Sequence, residues 1–121
     1  MHRYKFNKQN KLKKNKQFQA VYKTGKSYAN KYLVIYILPN RGSECRVGFA
    51  AGKRLGSAPK RNRAKRLLRE AFRLNQHRLK SGFDLIFIAR IPLIGLDFDS
   101  VNRNFNELIN RARLLTEKQE K

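Results

Sequence analysis

The chain has 121 residues, 40% of them hydrophobic and 31% charged, and a formal net charge of +21. This length allows one domain with a modest core, and the apolar share excludes a disordered basic tail. The single cysteine, Cys45, excludes an internal disulfide, and cannot alone form a zinc site; it is either a small buried hydrophobe or a reactive thiol. No stretch approaches the ~20 apolar residues of a membrane span, and no signal peptide is present, so we expect a cytoplasmic protein without membrane contact.

The positive charge is distributed unevenly. Residues 1–82 contain 23 Lys or Arg and two acids, whereas residues 83–121 contain six bases and six acids. Self-repulsion of such an excess opposes folding, which favours a bound polyanion. A phosphate backbone is the first candidate, with an anionic membrane or an acidic protein as alternatives. The composition therefore predicts nucleic-acid binding.

The N-terminal third predicts an arm and a short helix. Residues 1–11 are polar, basic and without period, and are interpreted as a mobile arm of a single domain that spans 1–121. A helix follows, with Asn15 as a plausible N-cap and Gly25 as its C-terminal stop. Its apolar stripe consists of Phe18, Val21 and Tyr22.

Three strands are predicted next. Residues 31–38 are β-branched and aromatic, and a turn signal at 39–42 separates them from a second strand at 45–51, so these two are expected to pair antiparallel. A third strand covers 83–90. Tyr36 lies on one apolar face of the first strand, with Ile35 on the other. One face should pack against helices, and the other is either core or an exposed aromatic platform.

Two longer helices complete the domain. Ser57 can cap the second helix, and Pro59 falls in its first turn. The last helix should start near Asp97 or Asp99, and its apolar spacing runs as far as Leu115, which indicates core packing. The predicted order is α-β-β-α-β-α in one α+β domain.

The second helix carries the strongest functional signal. At 100° per residue, its apolar residues gather on one face, and Asn62, Arg66, Arg69 and Arg73 lie opposite. Seven bases and one acid, Glu70, occupy 60–73. Like charges at i, i+4 destabilise a helix, so a bound polyanion explains this face better than simple solvation does. Arginine favours forked contacts with phosphates.

No catalytic arrangement is visible in the sequence. His2 and His77 have no paired acid, and Asp97 and Asp99 are interpreted as helix-start residues. Neither a phosphate-binding glycine loop nor a zinc ligand set is present. We therefore assign no catalytic residue and no metal ligand, and do not expect a self-sufficient enzyme.

Three ordered segments together resemble the bacterial ribonuclease P protein family. They are KLKKNKQFQAVYKTGKSYANKYLVIY, RVGFAAGKRLGSAPKRNRAKRLLREAF and DLIFIARIP, and they cover most of the chain. The most specific part is RNRxKRxxRE after a Lys-Arg-Leu-Gly loop. One departure is Gly52, where the family usually has serine, which puts any hydroxyl contact there in doubt.

The resemblance implies a ribonucleoprotein endonuclease that removes the 5′ leader from precursor tRNA. The catalytic RNA subunit would carry the active site and its Mg²⁺, while the protein aids substrate binding and metal affinity and is inactive alone. No protein partner is indicated. The implied fold is an α/β sandwich with helices on one side of a mixed sheet and a left-handed βαβ crossover, similar to domain IV of elongation factor G.

The resemblance also implies two sets of site residues. The set expected to bind the RNA subunit is Lys53, Arg54, Arg61, Asn62, Arg63, Lys65, Arg66, Arg69 and Arg73. The set expected to line a cleft for the leader is Phe18, Tyr22 and Tyr36.

A ribosomal or assembly RNA-binding protein is the alternative function. A DNA-binding helix-turn-helix module ranks third, because the predicted elements do not include two adjacent short helices.

Overall fold

The computed structural model of the protein describes Leu12, residues 15–42 and residues 44–115. The predicted arm at 1–11 and His2 lie outside these residues. The helices and strands are α1 (Asn15–Thr24), β1 (Lys26–Ala29), β2 (Leu33–Pro39), β3 (Arg46–Ala51), α2 (Ala58–Asn75), β4 (Phe83–Ala89) and α3 (Phe98–Arg111). Short 3₁₀ turns occupy Lys53–Leu55, Gln76–Arg78 and Ile91–Gly95. None of the helices described is long and apolar enough to cross a membrane.

The four strands form one mixed sheet in the order β1-β2-β4-β3. β4 pairs antiparallel with β2 and parallel with β3. The predicted pairing of the strands at 31–38 and 45–51 is therefore wrong, because β4 lies between them. The physical reason is that Leu85, Ile86 and Phe87 in β4 are all fully buried. A strand that is apolar on both faces is best protected at the centre of a sheet.

The predicted α+β class is confirmed, with one strand more than expected. β1 is a four-residue edge strand whose pattern KSYA is too short and too polar to predict. The parallel strands β3 and β4 are joined through α2, which makes a βαβ unit. Its handedness and the likeness to the elongation factor domain stay predictions.

Helices pack on both faces of the sheet. Leu33 and Ile35 of β2 belong to the main core with residues of α2 and α3. Tyr36 lies on the opposite face, in a second cluster with Val21 of α1 and Ile86 of β4. The expectation of helices on one side is wrong, because both faces of β2 are apolar and both need cover.

The ends of the helices follow the predicted signals in part. Asp97 caps α3, since its carboxylate accepts a hydrogen bond from the Ser100 amide at 2.9 Å. Ser57 occupies the cap position of α2, but its side chain makes no capping hydrogen bond. α3 ends at Arg111, short of the predicted Leu115, which instead forms an isolated β-bridge with Leu79.

Stacked aromatic rings fix α2 and α3 on the sheet. Phe87 of β4 stacks between Phe49 of β3, at 5.9 Å between centroids, and Phe105 of α3, at 4.6 Å. Phe72 of α2 meets Phe49 edge-on at 6.0 Å. Such pairs are worth about 0.5–1.5 kcal/mol each beyond their buried area.

A polar network holds the ends of three strands in register. Asp84, 5% exposed, accepts hydrogen bonds from Arg46 Nε at 2.9 Å and Nη2 at 2.8 Å, and from Asn40 Nδ2 at 2.8 Å. Asn40 follows β2, Arg46 begins β3 and Asp84 lies in β4. Since β2 and β3 do not pair with each other, this network aligns both of them on β4.

The half-buried Cys45 lies beside this network. Burial, with a smaller contribution from the charge of Asp84, raises the pKa of its thiol to about 12. The thiolate is the reactive form of cysteine, so this thiol stays protonated and unreactive near neutral pH. The geometry supports the interpretation of Cys45 as a small hydrophobe.

We predict that Asp84→Ala destabilises the fold markedly. Removing the carboxylate leaves the Arg46 guanidinium without its acceptor. A fully buried broken ion pair costs about 3–5 kcal/mol, and because the Arg46 side chain is 32% exposed we expect about 2–3 kcal/mol. Urea unfolding measures this, with the exposed Asp99→Ala as a control that should lose less than about 1 kcal/mol. Equal losses for the two variants would contradict a role for the network.

Candidate nucleic-acid interface

The basic face is the set formed by Lys53 and Arg54 in the turn before α2 and the seven predicted residues of α2. Its exposed members are Lys53, Arg54, Asn62, Arg63 and Arg66, and its half-buried members are Arg61, Lys65, Arg69 and Arg73. The apolar side of α2 is buried as predicted, with Ala64 and Leu68 fully inaccessible to solvent. The helix therefore presents one apolar side to the core and a basic side outward.

Much of this charge has no counterpart within the part of the chain that the structure describes. There, the side chains of Arg61, Lys65 and Arg66 form no ion pair, and Asn62 forms no side-chain hydrogen bond. Uncompensated guanidinium and ammonium groups on one face create a positive potential that attracts phosphate groups.

Arg73 and Arg63 differ from those residues because their guanidinium groups donate hydrogen bonds within the protein. The Arg73 guanidinium donates from Nε to Glu70 at 3.0 Å, and this hydrogen bond lowers the pKa of the Glu70 carboxyl. Arg63 reaches over the Ile91–Gly95 turn and donates to the Ile94 carbonyl at 3.4 Å. The charge of Arg73 is thus partly neutralised, which makes it the weakest candidate of the basic face.

Arg69 does not simply project away from the core. Its guanidinium lies over the Phe49 ring, 5.4 Å from the centroid, and its Nε is buried without a hydrogen-bond partner among the described residues. Arg69 thus continues the stack of Phe49, Phe87 and Phe105 outward to the surface. This position combines packing with a charge held in a fixed orientation.

The aromatic cleft is the half-open surface formed by Phe18, Tyr22 and Tyr36. The structure brings the three rings together: Phe18 and Tyr22 are 6.4 Å apart between centroids, and Tyr22 meets Tyr36 edge-on at 5.1 Å. All three are half-buried. Partial burial raises the pKa of the Tyr22 hydroxyl, with a smaller effect of Tyr36, so that hydroxyl stays neutral and can donate a hydrogen bond.

Gly48 makes the floor of this cleft. A Cβ at Gly48 would lie 2.6 Å from the Phe18 ring, too close for any real contact. Phe18 therefore rests on the bare backbone of β3, and its ring is partly core and partly surface. A glycine inside a strand pattern often marks such a close approach. The sequence therefore contains a signal for Gly48, although Gly48 is not among the predicted cleft residues.

A pocket borders the basic face at the C-terminal ends of β3 and β4. It has a volume of about 480 Å³, and its lining includes Ile88 from the cleft side, Lys53 and Arg54 from the basic face, and Arg90. Arg90 was not predicted, because a single base after a strand gives no signal. Gly52 also lines the pocket; a Cβ there would meet nothing within 4 Å, so the usual serine of the family would fit.

The acids, histidines and cysteine of the described residues form no group of three that could hold a metal ion. Asp97 and Asp84 are engaged in a helix cap and in the strand network. The described site thus offers positive charges and half-exposed ring faces, and among the described residues no group of three side chains that could hold a metal.

A basic helix and a half-open aromatic cleft in one domain supply the two features with which proteins bind single-stranded RNA, a positive surface and rings on which bases stack. The family model described as Ribonuclease P matches residues 6–113 of this chain. The chain belongs to the ribonuclease P protein family.

Individual relatives agree with this assignment. The ribonuclease P protein component of Clostridioides difficile is 46% identical over 108 residues, which cover 88% of this chain and 95% of that protein. The RNase P protein of Staphylococcus aureus superposes with a TM-score of 0.82 at 31% identity, covering 88% of this chain and 98% of the other. A variant of that protein, described as having defective mRNA degradation activity, gives a TM-score of 0.84 at 31% identity over 89% of this chain and 92% of the other.

We predict that Arg66→Ala and Arg69→Ala have different consequences. Arg66 is exposed, so its loss should leave the melting temperature unchanged and weaken RNA binding by about 1–3 kcal/mol. Arg69→Ala should also destabilise the fold by about 0.5–2 kcal/mol, because it removes the cation from the Phe49 ring. Thermal melts and RNA titrations of both variants measure this, with Arg69→Lys as a control that keeps the charge. Equal melting temperatures for both alanine variants would contradict the packing role of Arg69.

Proposed function

We propose that this ribonuclease P protein subunit binds the catalytic RNA subunit through the basic face and the 5′ leader of precursor tRNA through the aromatic cleft. The observation that carries the proposal is that Ile88, which packs in the same cluster as the three rings, lines one pocket together with Lys53 and Arg54. No acid lines this pocket among the residues that the structure describes.

The aromatic cleft suits an unpaired strand. Phe18, Tyr22 and Tyr36 are not basic residues, so they contribute little to general phosphate attraction. Rings in a half-open groove offer stacking surfaces for unpaired bases, worth roughly 1–3 kcal/mol per base, and the tyrosine hydroxyls add hydrogen bonds. The leader of a precursor tRNA is such a strand, and Lys53 and Arg54 at the end of the pocket can neutralise its phosphates.

The basic face suits a structured RNA. α2 is 18 residues long, which corresponds to about 27 Å, and its first half carries Arg61, Asn62, Lys65 and Arg66 without internal counter-ions. Arginine forks bind phosphates in two-point contacts, which fix the orientation of the bound RNA as well as its affinity. In this arrangement the protein positions substrate beside the RNA subunit.

The chemistry itself is assigned to the RNA. We infer that the RNA subunit and the substrate hold the Mg²⁺ required for endonucleolytic cleavage, and that the protein supports it by positioning RNA. The absence of a three-ligand metal cluster among the described residues is compatible with this division. The product would be the mature tRNA 5′ end, formed in the cytoplasm.

Two other functions are distinguishable by experiment. A ribosomal or assembly RNA-binding protein would use the same basic face, but would co-purify with ribosomal RNA instead of one discrete structured RNA. The similarity to the Staphylococcus aureus protein, of which a variant is described as defective in mRNA degradation, favours testing mRNA as a second substrate.

We predict that the purified protein alone cleaves no precursor tRNA, whereas the protein with its RNA subunit and Mg²⁺ cleaves at the mature 5′ end. The assay uses 5′-labelled precursor tRNA, and an unstructured mRNA fragment serves as second substrate. The control is the protein after nuclease treatment and removal of that nuclease. Mg²⁺-dependent cleavage by the RNA-free protein would place the active site on the protein and overturn this assignment.

We predict that Tyr36→Leu weakens holoenzyme binding to precursor tRNA by about 1–3 kcal/mol and leaves binding of mature tRNA unchanged. Leucine preserves apolar packing in β2 but removes the ring on which a leader base would stack. Tyr28→Leu is a matched control, because Tyr28 pairs with Ile35 and packs on the opposite face of the same sheet. Equal losses for both tRNAs, or equal losses in the two variants, would assign Tyr36 to the core.

A further inference from the structure

A second basic pocket lies between the C-terminal half of α3 and the 3₁₀ turn that follows α2. It has a volume of about 880 Å³ and is lined by Arg78, Arg103, Asn106, Glu107, Asn110, Arg113 and Leu115. Neither the basic face nor the aromatic cleft contributes a residue to it. Its lining contains three arginines and two asparagines, and no aromatic residue.

The charge of this pocket is more positive than its composition indicates. The only acid in the lining, Glu107, accepts hydrogen bonds from Asn30 at 3.0 Å and from Arg111 at 2.9 Å. Arg111 is not in the lining, so it compensates Glu107 from outside. Among the described residues, Arg103 and Arg113 have no ion pair of their own. Three guanidinium groups therefore line the pocket beside one carboxylate, which is shared with Arg111.

Arg113 occupies a position that favours glycine. It is the one described residue other than glycine with a positive φ, at 61°. It follows the C-cap residue Ala112, and the Leu114 amide donates to the Ile109 carbonyl at 3.1 Å, which is the usual hydrogen bond of a helix that ends in a left-handed residue. Glycine adopts this conformation without strain. An arginine there sacrifices stability, which is a reason to look for a function.

Arg78, on the other wall of the pocket, also indicates a function for this pocket. Its guanidinium donates to the Asn106 amide oxygen, while its Nε is buried without a partner among the described residues. The contact with Asn106 fixes the orientation of Arg78 across the pocket. The side-chain amide of Asn110 forms no hydrogen bond within the described part of the chain and is exposed.

The pocket is far from the start of the basic face. Arg61 and Arg78 are separated by most of α2, and about 21 Å of helix lies between Arg61 and the end of α2. α2 and α3 both follow strand ends at the same side of the sheet, and Leu79 pairs with Leu115 where both helices have ended. A group bound at the first turns of α2 therefore does not itself reach this pocket.

We propose that this pocket is a second RNA-binding site that holds the sugar-phosphate backbone of an RNA segment separate from the one on the basic face. The arginines supply phosphate contacts, and the Asn110 amide supplies a donor and an acceptor suited to a ribose 2′-hydroxyl. The proposal does not rest on the basic face being the site for the RNA subunit. The shared chemistry is an RNA phosphodiester, and its source is either the RNA subunit or precursor tRNA.

The test uses Arg103→Gln/Arg113→Gln in the full-length protein, and Lys31→Gln/Arg41→Gln as the control that removes two exposed charges elsewhere. Binding of the isolated RNA subunit and, for the assembled holoenzyme, of precursor tRNA is titrated at several salt concentrations. We expect the pocket variant to lose about tenfold in affinity for one of these RNAs, with a salt slope lower by about 2. The control should lose clearly less. Loss in the first titration identifies the RNA subunit as the source, and loss in the second only identifies the substrate.

The single variant Arg113→Gly separates binding from folding. We expect its melting temperature to rise, because glycine relieves the left-handed strain, and its affinity for the same RNA to fall. The proposal is overturned if the pocket variants bind both RNAs as well as the control does, or if the control double variant loses as much.

Discussion

The structure depends on the central position of β4. β3 pairs with no other strand of the described sheet, and β2 reaches β3 only through β4. Residues of β4 enter both hydrophobic clusters, Phe87 in the main core and Ile86 under α1. The buried Asp84 completes this role by holding Arg46 and Asn40 at the ends of the two neighbouring strands. Without β4 in this position, neither face of the sheet would support the surfaces described above.

The two faces of the sheet serve different purposes. One is covered by α2 and α3, and the aromatic contacts of Phe87 with Phe72 and Phe105 hold both helices on the sheet. The other face is covered only in part, because α1 has ten residues and lies over Ile86 and Gly48. Partial cover leaves Tyr36 and Ile88 half-exposed, which is what a cleft for unpaired bases requires.

The sequence predicted local structure better than strand order. Periodicity located the helices and three of the four strands within a few residues, and the resemblance to the family supplied the two sets of site residues. The pairing of β2 with β4 joins residues about 50 positions apart and is not encoded in a local pattern. The contact of Arg69 is not encoded locally either. The helical projection placed Arg69 opposite the core, but its guanidinium lies over the ring of Phe49, a residue of a strand that the projection does not include.

The charge count along the sequence also does not show which charged side chains are left without an ion pair in the fold. Residues 83–121 have equal numbers of bases and acids, so the charge count alone gives no sign of a positive surface there. In the fold, however, acids of this segment are engaged locally: Asp84 binds Arg46, Asp97 caps α3, and Glu107 is shared by Asn30 and Arg111. Arg103 and Arg113 are left facing one pocket with Arg78. The described part of this segment thus presents Arg103 and Arg113 beside a single acid that is shared with Arg111, because neutralisation acts over a few ångströms in space and not over a stretch of chain.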